Sequence, residues 1–205
     1  MPNLPILIRL GDSDVANAAK ALARSFLHDP MMLYIFPDEP QLEKKLFLLF
    51  QVMVRYGLRY GEVYAPSSNI EGVAIWLSSD NMDMSLAKME KCGFSEFSSQ
   101  VSPEVMTKLI YLNDFASARN KIHAPFKHWY LAFIGVDTDY HGKGFASSLI
   151  KPMLQRLDGE KLSCYLETAT EKNVAIYEHF GFKLIEKMLV PGTEVEFWAM
   201  MRGTH

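Results

Sequence analysis

Cysteine is scarce in this sequence, and neither sign of charge dominates. Cys92 and Cys164 are the only two cysteines among 205 residues, whereas a small scaffold held by disulfides needs more. We therefore predict a reduced, cytoplasmic protein. The formal net charge is −3 and the sequence pI is about 6.1, which argues against broad affinity for nucleic acid because such affinity usually requires a basic surface.

Long apolar runs are missing as well. The stretch 47–54 contains Gln51 and is followed by Arg55, whereas a membrane-spanning helix needs about 20 predominantly apolar residues. Pro2 and Pro5 interrupt the first residues, so a secretory leader is not expected. We expect no membrane partner.

Motifs of several enzyme classes are not found. No Gly-x-x-x-x-Gly-Lys-Ser/Thr segment is present, which argues against a P-loop nucleotide hydrolase. His123, His128 and His179 lack the spacing of metal ligands, so we expect no metal. Ser147 and Ser148 do not lie in a nucleophile-elbow sequence, which makes a serine hydrolase an unfavourable hypothesis.

The apolar pattern that remains predicts an α/β (α+β) protein. Hydrophobic residues make up 49% of the chain, enough for a sizeable core. Strands are predicted at 4–10, 61–65, 70–77, 128–136, 162–167, 182–190 and 194–202. Helices are predicted from Asp12 or Ser13 to Pro30 and over 40–59, 83–91, 103–119, 143–157 and 173–180. This alternation favours a mixed sheet with helices on both faces.

Residues 79–127 separate two predicted strands that a short turn could join. The second of their two predicted helices starts at Pro103, with Ser102 as N-cap. Long insertions of this kind often form lids or binding walls, and the alternative is an additional packing layer. We predict a single domain over 1–205 with a helical insertion at about 79–127.

The segment 141–144, His-Gly-Lys-Gly, joins the predicted strand 128–136 to the helix 143–157. The first turn of a helix carries N–H groups without internal partners and the positive end of the helix dipole. Glycine allows an anion to come close to these groups, and Lys143 adds a charge, so the turn is suited to a diphosphate. Glycine at such a turn also has purely steric uses.

Two segments together resemble the signatures of the GCN5-related N-acetyltransferase (GNAT) superfamily. The first, 141–146, is similar to Gln/Arg-x-x-Gly-x-Gly/Ala, with His141 in place of the usual Gln or Arg. The second, 173–182, carries an Asn and a Tyr and ends at Gly-Phe. Two further segments, Leu-Glu-Thr at 166–168 and Trp-x-Met-x-Arg at 198–202, are similar to the branch of this superfamily that contains puromycin N-acetyltransferase.

This resemblance implies a mostly antiparallel sheet of about seven strands that splays between strands four and five, where acetyl-CoA binds. It implies a cofactor-binding set of Phe133, Ile134, Gly135, Val136, His141, Gly142, Lys143, Gly144, Phe145, Ala146, Ser147, Thr168, Asn173 and Tyr177. Asn173 is also expected to cap the helix that follows. Gly135 lies inside a predicted strand, which indicates a bulge or a close backbone approach, and we expect the bulge.

Acyl transfer further needs an acid for the departing thiolate and a neutral amine nucleophile. Tyr177 is the candidate acid, since a phenol with a pKa near 10 is protonated at neutral pH; the alternative is a packed core tyrosine. Glu167 is a candidate base, unless its carboxylate only pairs with a neighbour.

Phe26, Asp29 and Tyr34 are the candidates to line an acceptor pocket near the amino terminus. For Asp29 the alternative is a helix-stop turn in which its carboxylate bonds local backbone.

These observations favour an acyltransferase that uses acetyl-CoA to acetylate a primary amine of a small molecule, by direct attack in a ternary complex. Peptide or protein N-acetylation is the rival within the same chemistry. The rivals from different functional classes are a catalytically inactive CoA-binding sensor or interaction module and an unrelated nucleotide-binding protein. A monomer or a homodimer is expected, and the sequence does not identify the amine.

Overall fold

The computed structural model describes residues 7–203. Its seven strands form one sheet, with bounds close to the predicted ones. They are β1 (Ile8–Arg9), β2 (Gly61–Ala65), β3 (Gly72–Ser78), β4 (His128–Val136), β5 (Ser163–Thr168), β6 (Lys183–Leu189) and β7 (Glu196–Arg202). The part of the predicted first strand before residue 7 lies outside the described residues.

Eight α-helices accompany the sheet within the described range. They are α1 (Val15–Ser25), α2 (Pro30–Ile35), α3 (Leu42–Tyr60), α4 (Leu86–Glu90), α5 (Phe94–Ser98), α6 (Pro103–His123), α7 (Phe145–Glu160) and α8 (Glu171–His179). Within residues 7–203, no helix combines the length and apolar character required to cross a bilayer.

The strand order is β1-β2-β3-β4-β5-β7-β6, and β4–β5 is the single parallel pair among the described strands, which are otherwise antiparallel. These two strands pair only from His128↔Ser163 to Tyr130↔Tyr165, although β4 continues to Val136. The predicted splay between the fourth and fifth strands is therefore confirmed. It opens a cleft between the carboxyl ends of the two strands.

The two faces of the sheet bury separate apolar clusters. Helices α1 and α3 cover one face, where Leu22 and Phe50 are fully buried. Helix α7 covers the other and buries Leu149 and Leu157. Helix α7 contains Pro152. Helices on both faces agree with the α/β architecture expected from the alternating pattern.

The irregularity in β4 lies at Ala132 and not at Gly135, so the predicted position of the bulge is wrong. Ile75 pairs with Phe133 and Trp76 with Leu131, which leaves Ala132 as the extra residue. Gly135 instead permits the close approach of α1, because a Cβ at this position would collide with Ser25 and press on Leu22. Glycine there serves packing between α1 and the sheet.

The start and end of α1 also differ from the prediction. Asp12–Asp14 form a short 3₁₀ turn, in which the Asp14 side chain accepts a hydrogen bond from the Gly11 N–H at 2.9 Å. Helix α1 ends at Ser25, and Pro30 begins α2. Proline at a first helical position lacks only an N–H that would have no partner there. Pro30 thus starts a helix where we expected it to end one.

The segment 79–127 contains α4, α5 and α6, of which α5 was not predicted. Ser102 caps α6 as expected, accepting a hydrogen bond from the Val105 N–H at 3.3 Å. Aromatic packing of Phe115 against Phe197, with ring centroids 5.1 Å apart, fixes α6 to β7. This contact holds α6 beside the sheet.

Candidate active site

A cavity of about 190 Å³ lies beside the β4–β5 splay. Its wall is formed by strands β4 and β5, helices α2, α3, α6 and α8, the segment between α1 and α2, and the loop before α4. Its lining residues are Phe26, Asp29, Met31, Met32, Ile35, Leu49, Met53, Met84, Leu109, Leu112, Asn113, Ala116, Tyr130, Leu131, Ala132, Phe133, Ile134, Glu167, Thr168, Ala169, Asn173 and Tyr177. The wall therefore includes both candidate catalytic side chains.

Glu167 enters this cavity from the end of β5. Its carboxylate accepts a hydrogen bond from the Tyr130 hydroxyl at 3.1 Å and another from the Tyr165 hydroxyl at 2.9 Å. Burial raises the pKa of Glu167 to about 7, although the two phenol donors oppose this shift. The carboxylate therefore pairs with neighbours, the alternative considered for this residue, and it also lines the cavity.

Tyr177 reaches the same cavity from α8. Its ring is packed against Phe182 with centroids 5.9 Å apart, and 8% of the residue is exposed. Within residues 7–203 its hydroxyl has no hydrogen-bond partner. Burial and the nearby Asp29 carboxylate raise the pKa of this phenol above its usual value of 10. The phenol is thus protonated at neutral pH, on a residue that lines the cavity.

Asn173 does not cap α8, which corrects the prediction. It is the third residue of a helix whose N-cap is Thr170. Its side-chain amide donates a hydrogen bond to the Thr168 hydroxyl at 3.2 Å. This contact links α8 to the end of β5, next to Glu167.

Asp29 bonds local backbone, but at the start of a helix. One of its oxygens accepts hydrogen bonds from the N–H groups of Met31 at 3.0 Å and Met32 at 3.1 Å, which caps α2. Burial raises the pKa of this carboxyl. Because Asp29 also lines the cavity, capping does not remove it from the candidate site.

The remaining two acceptor-pocket candidates have different positions. Phe26 lines the cavity and packs against Phe133 with ring centroids 6.1 Å apart. Tyr34 does not line it; its ring lies beneath the Lys108 ammonium at 5.1 Å. The prediction that Tyr34 lines the acceptor pocket does not hold for this cavity.

The glycine segment, residues 141–144, is exposed. Both of its glycines have a left-handed backbone conformation, with φ of +77° at Gly142 and +82° at Gly144. Gly144 is the N-cap of α7 and has no side chain with which to cap the helix. The first N–H groups of α7 therefore face the surface beside a backbone conformation that glycine favours. This arrangement fits a diphosphate, as the sequence predicts.

The two larger residues of this segment are anchored locally. His141 Nε2 lies 2.9 Å from the Val136 carbonyl oxygen, at the end of β4. Lys143 donates a hydrogen bond to the Asp139 carbonyl at 3.1 Å, and its ammonium lies 4.9 Å from the centre of the Tyr140 ring. Lys143 would have to exchange its carbonyl partner to contact an anion.

The residues between this segment and the cavity leave backbone groups available. Phe133, Ile134 and Gly135 pair with β3 on one side, and within residues 7–203 no strand pairs with them on the side of β5. Free N–H and C=O groups beside the splay suit the amide groups of a pantetheine arm. Together with the glycine segment, these residues fit acetyl-CoA.

A metal site is not formed by the residues that the structure describes. Within that range, no group of three or more His, Cys, Asp or Glu side chains is arranged to hold an ion. Cys92 and Cys164 are both free and buried, and burial raises their pKa values.

Sequence reasoning missed Tyr130, Tyr165 and most of the apolar wall. Tyr165 lies two residues before Glu167 on β5, so the two side chains share a face of the sheet, and this spacing was the available signal. Tyr130 lies opposite Tyr165 on the adjacent strand β4. The residues that α6 contributes, such as Leu109 and Leu112, have no signal of this kind. Their place beside the cavity depends on how the 79–127 segment folds back onto the sheet.

Comparison with known proteins bears on this geometry. The profile of the acetyltransferase (GNAT) family matches residues 109–182, the part of the chain that runs from the middle of α6 to the residue before β6. The match supports the GNAT superfamily. An uncharacterized N-acetyltransferase of Schizosaccharomyces pombe is 28% identical over 182 residues, which cover 85% of this chain and 72% of the relative.

Solved acetyltransferase structures have a similar fold. A Corynebacterium glutamicum structure described as histone acetyltransferase HPA2 and related acetyltransferase gives a TM-score of 0.66 at 20% identity, covering 98% of this chain and 97% of that protein. The polyamine N acetyltransferase of Drosophila melanogaster gives 0.64 at 13% identity, covering 97% and 99%. These similarities show the fold alone. The narrower puromycin N-acetyltransferase branch stays a prediction.

Proposed function

We propose that this GNAT-type acetyltransferase transfers the acetyl group of acetyl-CoA to a primary amine of a small molecule, by direct attack in a ternary complex. The observation that carries the proposal is the convergence of Glu167 and Tyr177 on one cavity at the β4–β5 splay. A proton acceptor and a proton donor are the two groups that aminolysis of a thioester requires.

Glu167 is the proposed general base. An alkylammonium must lose a proton before its nitrogen attacks, and a carboxylate with a pKa of about 7 is well matched to accept that proton at neutral pH. The phenols of Tyr130 and Tyr165 hold the carboxylate in place while it is charged. Proton transfer proceeds directly or through one water molecule.

Tyr177 is the proposed general acid. Its hydroxyl is protonated at neutral pH and has no hydrogen-bond partner within residues 7–203, so it is available to a sulfur atom in the cavity. Donation of a proton to the departing sulfur lets CoA leave as a neutral thiol when the C–S bond breaks. Packing of its ring against Phe182 fixes the direction of the hydroxyl.

The glycine segment is the proposed holder of the co-substrate. When bound, acetyl-CoA supplies the activated acetyl thioester. The exposed N–H groups at the start of α7 bind its diphosphate, and the free backbone side of Phe133–Gly135 orients the pantetheine arm. These contacts direct the thioester towards the Tyr177 hydroxyl.

Direct transfer is preferred to an acetyl-enzyme route because no cysteine or serine is found among the described residues that line the cavity. Cys164 is buried with a raised pKa, which leaves its thiol a weak nucleophile. The cavity of about 190 Å³, bordered by α6, favours a small acceptor, since a peptide requires an extended groove.

The test measures thiol release from acetyl-CoA in the presence of amines, with the acetylated product identified by mass spectrometry. We expect release that depends on the amine and intersecting initial-velocity lines, as a ternary complex requires. Parallel lines together with an acetylated protein would contradict direct transfer. Binding of CoA without turnover over a broad panel of amines and peptides would favour a CoA-binding sensor.

A further inference from the structure

Two carboxylates line the cavity, and neither has a cation beside it. Asp29 and Glu167 are the acidic residues among the described residues of the wall, and that part of the wall includes no Lys, Arg or His. Within residues 7–203 neither carboxylate forms an ion pair. The described wall therefore carries negative charge without a counter-charge of its own.

Elsewhere in the described chain, carboxylates with little exposure have partners for their charge. Three side chains that are 12–19% exposed each pair with an arginine: Asp137 with Arg24, Glu62 with Arg156 and Glu186 with Arg119. Glu71, which is 6% exposed, accepts hydrogen bonds from the Ser67 hydroxyl on both oxygens. Because an unpaired carboxylate loses hydration when it is buried, the two carboxylates of the cavity are suited to cations that a ligand supplies.

Asp29 keeps one oxygen for a ligand. Its Oδ1 accepts hydrogen bonds from the N–H groups of Met31 at 3.0 Å and Met32 at 3.1 Å, whereas its Oδ2 has no hydrogen-bond partner within residues 7–203. The side chain of Asn113, half-buried on α6, also lines the cavity and has no hydrogen-bond partner in that range. An ammonium at Asp29 would thus gain a charge-assisted hydrogen bond without displacing a protein group.

The two carboxylates suit two different amino groups of one acceptor. Glu167 is the proposed base at the end of β5, whereas Asp29 lies at the start of α2. The base takes up the proton of the ammonium that reacts, so this amine becomes neutral. A carboxylate that only binds must leave its ammonium charged, and Asp29 is free to do so.

We infer that the acceptor is a small diamine, with one ammonium that reacts beside Glu167 and a second that binds Asp29. This inference rests on the proposed function, because it names the class of amine for the same site. The reacting amine passes its proton to Glu167 and forms the new C–N bond as the C–S bond of acetyl-CoA breaks, with CoA leaving as a thiol. The second ammonium stays charged on Asp29, and the leucine and methionine side chains of the wall surround the methylene chain.

Matched acceptors test the inference. The linear diamines from 1,3-diaminopropane to 1,6-diaminohexane are each compared with the alkylamine of the same chain length. We expect kcat/KM of the best diamine to exceed that of its alkylamine by at least about 10-fold, the contribution of one hydrogen bond between charged groups. A smaller ratio at every chain length would overturn the inference and leave the proposed function intact. No thiol release with any amine would overturn both.

The variant Asp29→Asn isolates the charge. Its amide oxygen can still accept the two backbone hydrogen bonds that cap α2, but the side chain no longer attracts an ammonium, so the diamine to alkylamine ratio of kcat/KM should fall about 10-fold. Asp114→Asn is the matched control, because Asp114 is an exposed residue of α6 that is not among the lining residues, and it should leave the ratio unchanged. If Asp29→Asn does not fold, Asp29→Ser also keeps an N-cap and provides the same comparison. An unchanged ratio in a folded Asp29 variant would contradict the inference.

Discussion

The two ends of the cleft are built in opposite ways. At the start of α7, backbone N–H groups lie beside two glycines whose positive φ angles other residues rarely adopt. Beside Glu167, side chains from four helices, two strands and the adjoining loops surround a largely apolar cavity. The first, which we call the open end, is suited to a ligand that does not vary. The second, which we call the closed end, is suited to an acceptor amine that its side chains select. Variants at the first end should therefore change the KM for acetyl-CoA, and variants at the second end should change kcat.

The largest effect is expected at the closed end, from Glu167→Gln. The amide keeps the shape of the side chain but cannot accept the proton of the ammonium, so kcat should fall about 10³-fold. The KM for acetyl-CoA should change little, because this residue is remote from the glycine segment. Steady-state kinetics check both values, and a variant with unaltered kcat would remove Glu167 from the mechanism.

The pH dependence of activity and of stability tests the role of the same carboxyl group. Its charged form is the base, so kcat/KM of the wild type should rise with pH through about 7 and level off above it. The folded pKa is above the usual 4.5, so the folded state binds this proton more tightly than the unfolded state. Its contribution to stability should be present below about pH 4.5 and be lost as pH rises to about 7. Glu167→Gln should remove both dependences, as thermal melts and pH profiles would show.

A smaller loss is expected from Tyr177→Phe. Phenylalanine keeps the packing against Phe182 and removes only the hydroxyl, so kcat should fall about 10²-fold. The affinity for CoA, measured by calorimetry, should remain within about two-fold, since no diphosphate contact is lost. A thiol-release rate equal to that of the wild type would show that another group, or water, protonates the thiolate.

At the open end, Gly142→Ala should weaken binding and spare chemistry. Alanine at a φ of +77° costs about 1–3 kcal/mol of strain, so the segment should shift and raise the KM for acetyl-CoA about 10-fold. Gly159→Ala is the matched control, because this glycine lies near the far end of helix α7 with open space around it. A decrease of kcat without a change in KM would contradict the separation of the two ends.

The smallest effect is expected from Tyr130→Phe. Loss of one phenol donor removes a hydrogen bond that lowers the pKa of Glu167, so the kinetic pKa should move upward. The rate at pH 7 should fall by about three-fold, and the rate well above the kinetic pKa should recover. A purely structural role for Tyr130 would lower the rate equally at every pH, which a pH profile distinguishes.

The open end was largely predictable from sequence, and the reason is local. Apolar periodicity set the bounds of β4 and α7, and the glycines between them marked the turn. The splay followed from the resemblance to a family with that fold, and the pairing of β4 with β5 confirms it.

The closed end was only partly predictable. The sequence predicted Glu167 and Tyr177 as site residues, and both line the cavity. The side chains from α3 and α6 meet them through contacts between distant parts of the chain, for which the sequence carries no local signal. Asn173 was misassigned because Asn caps helices often, whereas here Thr168 is a nearer partner. Tyr34 was grouped by its nearness in sequence to Asp29, yet α2 directs it to Lys108.

The most direct test of the proposed mechanism is a crystal structure of the protein with CoA. We predict the diphosphate on the N–H groups at the start of α7 and the sulfur within about 3.5 Å of the Tyr177 hydroxyl. A CoA molecule bound with its sulfur outside the cavity that Tyr177 and Glu167 share would contradict this mechanism.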